Sequence, residues 1–145
     1  MVLVLFGTCA LVVVTTAIHA FGFSILLRTV MKSHALTKVG LWHATGVVIA
    51  LACWLLLVHL AEIVIWGLFY LWQGWMPDAG SALYFSGVTY TSTGYGDLVL
   101  PKPWRMVAAI ESLTGLLMCG LSTGLFFALV SRRIDSWLKT RPGKN

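Results

Sequence analysis

Residues 89–98 read TYTSTGYGDL, a polar, glycine-bearing run between two strongly apolar stretches. Glycine, serine and threonine at that density mark a turn at a wet surface, yet the surrounding chain has little surface composition to receive one. Of its 145 residues, 59% are hydrophobic and only 10% charged, and the mean hydropathy is +0.88. Soluble domains carry roughly 25% charged residues, so the composition is that of a membrane protein. A spanning helix takes about 20 largely apolar residues, which leaves room for three spans and excludes a soluble enzymatic domain. Cys9, Cys53 and Cys119 are odd in number, lie in apolar runs and have no metal-ligand spacing, so they read as buried, unpaired thiols.

The stretch leading into the quoted run, Ser81–Tyr90 (SALYFSGVTY), is too short to span and fits a re-entrant half-helix. Before it, Gly40–Trp72 is interrupted only by His43, His59, Glu62 and weakly polar residues. As a helix it would reach about 50 Å, more than the ~30 Å hydrocarbon core, so it must tilt, kink or begin in the interface near Trp42 and His43. The first run, Val2–Leu27, has no charge, lacks a basic leader and is long for a signal peptide, which favours a retained helix. After the quoted run, VLPKPW breaks the chain, and Pro103 suits the first turn of a helix running from Trp104 to Val130 or Ile134. The expected layout is an extra span with its basic connector (1–39), a core of 40–134 and a basic tail (135–145). Within that core the expected parts are an outer helix (40–72), a re-entrant helix (80–91), a loop (92–97) and an inner helix (103–134).

Charge sets the expected topology. Arg28, Lys32 and Lys38 lie in the connector, and Arg132, Arg133, Lys139, Arg141 and Lys144 in the tail, which makes eight of the ten basic residues. The positive-inside rule puts both segments in the cytoplasm and the N-terminus and the 73–103 region outside. Trp66, Tyr70, Trp72, Trp75 and Trp104 then gather toward the outer interface, and Trp42 and Trp137 toward the inner. The net charge of +5 is thereby accounted for by topology and anionic lipid, and a nucleic-acid partner is not expected.

Non-helical backbone at membrane depth survives only where protein buries it or water lines it. An extended Ser92-Thr93-Gly94-Tyr95-Gly96 offers a row of carbonyl oxygens, and a partly dehydrated cation is their natural partner. Glycine at every second position admits positive φ, so that successive carbonyls can face one way. The preceding half-helix would aim the negative end of its dipole at the cavity below.

The run TSTGYGD resembles the selectivity filter of the potassium-channel pore-loop superfamily, whose signature is T-V-G-Y-G-D. The resemblance covers residues from about 41 to 134. It implies an all-α membrane protein with three transmembrane helices, a re-entrant pore helix and a filter loop. It also implies a homotetramer in which four loops surround one axis. Backbone carbonyls of Ser92, Thr93, Gly94 and Tyr95 would bind K+, with the Ser92 hydroxyl at the innermost site. Gly96 would be the outer turn and Asp97 the acid at the mouth, while the Tyr95 ring braces the filter and Thr89 and Thr91 close the pore helix. No cofactor is expected beyond K+ ions in transit; the partners are lipid and permeant monovalent cations. The expected setting is a plasma membrane of the bacterial inner-membrane kind. Two positions depart from the signature. Ser92 replaces the usual Thr and loses a methyl that restricts its rotamer, and Thr93 replaces Val and adds a hydroxyl that needs a partner. The first reading is therefore a passive potassium-selective channel. A weakly selective cation channel and a non-conducting accessory subunit stand as alternatives.

Glu62 and Glu111 are the two intramembrane acids, a placement costing at least ~2.5 kcal/mol unless paired or protonated. They could attract cations to a cavity, brace the pore helix or bond a neighbouring helix as neutral acids; His59 and Glu62, three residues apart, share a helix face. Gly115 and Gly120 lie where a gating hinge would sit, although Gly120, Gly124 and Ala128 also form a small-residue packing stripe. His19 reads as a satisfied core histidine, His34 and His43 as cytoplasmic and interfacial. No helix carries arginine at every third position, which argues against a voltage sensor. No nucleophile–base pair or phosphate loop is present, which argues against an enzyme.

Overall fold

Lipid offers no hydrogen bonds to a bare backbone, so apolar runs of this length fold as helices, and the described long apolar runs do so. The computed structural model describes residues 2–32 and 41–140. The connector residues 33–40, with His34 and Lys38, and the tail residues 141–145 lie outside the described residues. The helices are α1 (Val2–Lys32), α2 (Leu41–Trp72), α3 (Ala79–Tyr90) and α4 (Arg105–Thr140), with a 3₁₀ turn at Lys102–Trp104 before α4. Among the described residues there is no strand. Three segments, Leu3–Val30, Thr45–Trp72 and Lys102–Arg132, are long and apolar enough to cross a membrane. Two of the long helices run past the expected limits at their C-terminal ends. α1 continues through Arg28 to Lys32 and α4 through Ile134 to Thr140, because neither RTVMK nor DSWLKT contains a glycine or proline to stop it.

α3 is a different kind of element. Its 12 residues reach only about 18 Å, and it lies between α2 and α4, packed against both. Asp78 caps its start, accepting from the Ser81 amide at 2.9 Å and the Ser81 hydroxyl at 2.7 Å. Those two bonds hold the exposed Asp78 carboxyl below its usual range, the amide contributing most. Gly67 on α2 lets α3 approach: a Cβ there would stand 3.0 Å from Leu83 Cδ2 and 3.3 Å from the Ala82 carbonyl.

α1 and α2 pack antiparallel. A Cβ at Gly22 would meet Val58 Cγ2 at 2.7 Å, and Trp54 Nε1 donates to the Gly22 carbonyl at 3.0 Å. Two apolar clusters result. One joins Trp66, Phe69, Tyr70, Phe85, Tyr90, Leu100 and Val107 around α3; the other joins Leu26, Leu51, Leu55, Leu125 and Leu129 toward the far end of the long helices. α4 buries Val107, Glu111, Thr114, Met118, Ser122, Leu125 and Leu129, the three-to-four spacing of one helical stripe. Its Leu113, Leu116, Leu117, Leu121 and Phe127 are left exposed. The expectation of buried thiols fails: Cys9, Cys53 and Cys119 are all exposed and unpaired. Each is exposed on an apolar helix, where a thiol behaves as a small hydrophobe and need not turn inward.

Gly115 marks the closest approach of α4 to α3, where a Cβ would collide with the Tyr90 carbonyl. Gly120 and Gly124 have nothing within 4 Å of that position. Gly115→Ala is accordingly expected to destabilise the detergent-solubilised chain by about 1–3 kcal/mol, read as a lowered melting temperature. An equal loss in Gly120→Ala would count against a specific contact at Gly115.

Candidate functional site

The site is built around the end of α3. Thr91 is the C-cap, and Ser92 follows with φ 57°, in the left-handed region. The Ser92 amide donates to the Thr89 carbonyl at 2.9 Å and the Thr93 amide to the Val88 carbonyl at 2.9 Å. This is the Schellman pattern, with serine where glycine is usual. The Gly94 amide also reaches Val88, at 3.0 Å, so the chain folds tightly over the helix end before leaving it. Positive φ recurs at Gly94 (51°) and Gly96 (79°), every second residue from Ser92. Residues 91–97 are exposed in the single chain, Tyr95 by 71%.

Side chains tie this loop to α3. Thr91 Oγ1 donates to the Gly87 carbonyl at 2.8 Å and lies 2.9 Å from Thr93 Oγ1. The hydroxyl at position 93 thus has its partner one residue before Ser92. Asp97 accepts from the Tyr84 hydroxyl at 2.8 Å. Within the chain this bond joins the loop's far end to α3.

Behind α3 stands the first buried acid. Glu111 is fully buried and accepts from Tyr70 of α2 and Ser86 of α3, each at 2.6 Å. The Ser86 hydroxyl also lies 2.8 Å from the Ile63 carbonyl of α2. Ser112 donates to the Thr89 carbonyl at 2.7 Å, which anchors the last turn of α3 to α4. Glu111 therefore braces α3 from inside the α2–α3–α4 junction and lines no open surface.

The second buried acid has a wider reach. Glu62 of α2 accepts from the hydroxyl of Tyr90, the last residue of α3. Its other oxygen lies 3.0 Å from His19 Nδ1 of α1. His59 Nδ1 stands 2.9 Å from the Tyr90 oxygen and 3.5 Å from Glu62 Oε2. Ser122 of α4 closes the group, 3.1 Å from His59 Nε2 and 3.3 Å from His19 Nε2. All four long or short helices meet there, directly beneath the loop.

Glu62, Glu111, Thr89 and Gly115 are thus gathered behind the loop, whereas Gly120 lies away from it. Ser86, Tyr70, Tyr84, Tyr90, Ser112 and Ser122 were not nominated by the sequence. The available signal was weak: hydroxyls at helical spacing, opposite acids whose partners could be known only from the packing of α2 on α3 and α4. His19 was nominated as a satisfied histidine, and its partners are Glu62 and Ser122.

A family model described as "Ion channel" matches residues 45–132, more than half of the chain. No curated protein and no solved structure matches it. The matched region holds α2 almost entire, α3, the loop and most of α4, and leaves α1 outside.

Two variants probe this framework. Glu111→Ala strands the Tyr70 hydroxyl, while Ser86 keeps the Ile63 carbonyl, and is expected to cost about 1–3 kcal/mol for the group left unsatisfied. Adding Tyr70→Phe should recover part of that loss, as non-additive melting shifts between the single and double variants. Ser92→Gly should instead raise stability by roughly 1 kcal/mol by relieving the left-handed conformation; a lowered melting temperature would contradict the Schellman geometry.

Proposed function

We propose, from the premise that the chain belongs to the ion-channel family matched over residues 45–132, that four copies form a passive potassium-selective channel. The chain is a multi-pass membrane protein of a channel family, and its potassium pathway and tetrameric assembly are the proposal. The observation that carries it is the loop. Residues 92–96 leave a firmly braced helix end with positive φ at every second position, the backbone alternation that lets successive carbonyls turn to one side. Carbonyls so arranged replace the hydration shell of a permeant cation, and repulsion between neighbouring ions drives exit.

In this reading α3 is the pore helix, its negative end directed at the ion path. Carbonyls of Ser92, Thr93, Gly94 and Tyr95 contact K+, and the Ser92 hydroxyl serves the innermost site. Asp97 holds the mouth, positioned by Tyr84. Three other copies of the loop would cover the exposed residues 91–97, and the open leucines of α4 would meet neighbours or lipid. The basic residues flanking α1 and α4 favour a cytoplasmic C-terminus and an outward loop, in a bacterial inner membrane.

A weakly selective channel is the second reading, favoured by one observation. The Thr91–Thr93 hydroxyl pair and the left-handed Ser92 differ from a loop backed by an apolar side chain. The reversal potential of the reconstituted protein, under opposing potassium and sodium gradients, separates the two. It is expected near the potassium equilibrium potential; a value near zero identifies the weakly selective channel. Gly94→Ala, placing a Cβ at φ 51°, is expected to abolish flux. Absent flux in a stable wild-type tetramer would leave a non-conducting subunit.

A further inference from the structure

We infer that His19, His59 and Glu62 form a binding site for a divalent transition-metal ion of the zinc class, which fastens α1 to the base of the loop. One donor atom from each residue lies within 4.8 Å of the other two. A four-coordinate zinc ion holds its nitrogen and oxygen ligands at 2.0–2.2 Å, hence about 3.3 Å from one another. His19 Nδ1 stands 3.0 Å from one Glu62 oxygen and His59 Nδ1 3.5 Å from the other. The spacing is that of a ligand set, reached by small shifts.

In one pair of tautomers the hydrogen bonding suits the same site. Ser122 Oγ faces Nε2 of both histidines, at 3.1 and 3.3 Å. A hydroxyl has one proton to donate and can accept from two donors. When both Nε2 atoms carry hydrogen, Ser122 accepts both, and each neutral ring presents its Nδ1 lone pair toward the carboxylate. In those tautomers the two lone pairs and the carboxylate repel one another, and a cation between them removes the repulsion. Ser122 then plays the part usual behind metal-bound imidazoles, fixing tautomer and ring orientation through the second nitrogen. Tyr90, hydrogen-bonded to Glu62 and 2.9 Å from His59 Nδ1, adds a further oxygen to the group.

The donor types select the ion. Two imidazoles and one carboxylate suit zinc and its neighbours, whereas magnesium and calcium take oxygen sets. Glu62 is fully buried and His19 nearly so, while the His59 side chain is 14% exposed. A cavity of about 340 Å³ between α2 and α4, lined by His59, Cys119, Ser122 and Thr123, opens beside it. The ligands come from α2 and from α1, the one helix outside the matched region. Occupancy therefore ties that helix to Tyr90, one residue before the C-cap and two before Ser92. The site is independent of which cation the pathway conducts.

The test uses the full chain in detergent, stripped with chelator and titrated with zinc alone by calorimetry and with cobalt alone by absorption. One ion per chain and the strong ligand-field bands of tetrahedral Co2+ are expected. His19→Gln keeps a hydrogen-bonding group opposite Glu62 and should weaken affinity at least tenfold, while Cys119→Ser should leave it unchanged. Equal affinity in folded His19→Gln, or a loss in Cys119→Ser matching that in His19→Gln, overturns the assignment. Should His19→Gln fail to fold, the wild-type melting temperature decides. A zinc-dependent rise supports the site, and folded wild-type protein that neither binds zinc nor shifts its melting temperature refutes it.

Discussion

A helix of 12 residues is marginal on its own in water and too short to cross a bilayer, and the loop that follows α3 can be no more rigid than α3. The constraint on which the structure depends is therefore the set of hydrogen bonds that holds this helix between α2 and α4. Glu111 takes hydroxyls from Tyr70 and Ser86, Ser112 takes the Thr89 carbonyl, and Glu62 takes the Tyr90 hydroxyl. Each is worth far more here than at a surface, because a buried polar group without its partner keeps its full desolvation cost. The two acids, expensive at such depth, have every carboxylate oxygen engaged.

That anchoring explains how a segment of poor backbone economy can exist. Ser92 is in a left-handed conformation costly for a residue with a Cβ, and Gly94 and Gly96 continue the alternation. A free loop would relax. Here the Schellman bonds hold its start, the Tyr84–Asp97 bond holds its end, and Gly115 lets α4 press against the Tyr90 carbonyl beneath it. The strain is sustained because the packing around α3 over-determines it.

The long helices answer to a different physics. α1, α2 and α4 bury only narrow stripes and leave leucines, phenylalanines and all three cysteines facing outward. In water such a surface would aggregate. In a bilayer it costs nothing, so small residues at close contacts, such as Gly22 and Gly67, and polar pairs do the joining.

The class, the three apolar segments, the short helix and the loop after it are legible in the chain before any packing is known. Those follow from local quantities: run length against bilayer thickness, proline and glycine position, and the TSTGYGD spacing. Element ends were less legible, since charged residues without a breaker let α1 and α4 run on. Which hydroxyl meets which acid follows from the packing of the helices alone. His19 and Glu62 are 43 residues apart and His19 and Ser122 are 103 apart, and no periodicity within one helix encodes a meeting among four. The burial of the thiols failed to follow from sequence for the same reason. In lipid both faces of a helix are apolar, so hydropathy does not reveal which face turns inward; that is fixed by the polar partners the neighbouring helices supply.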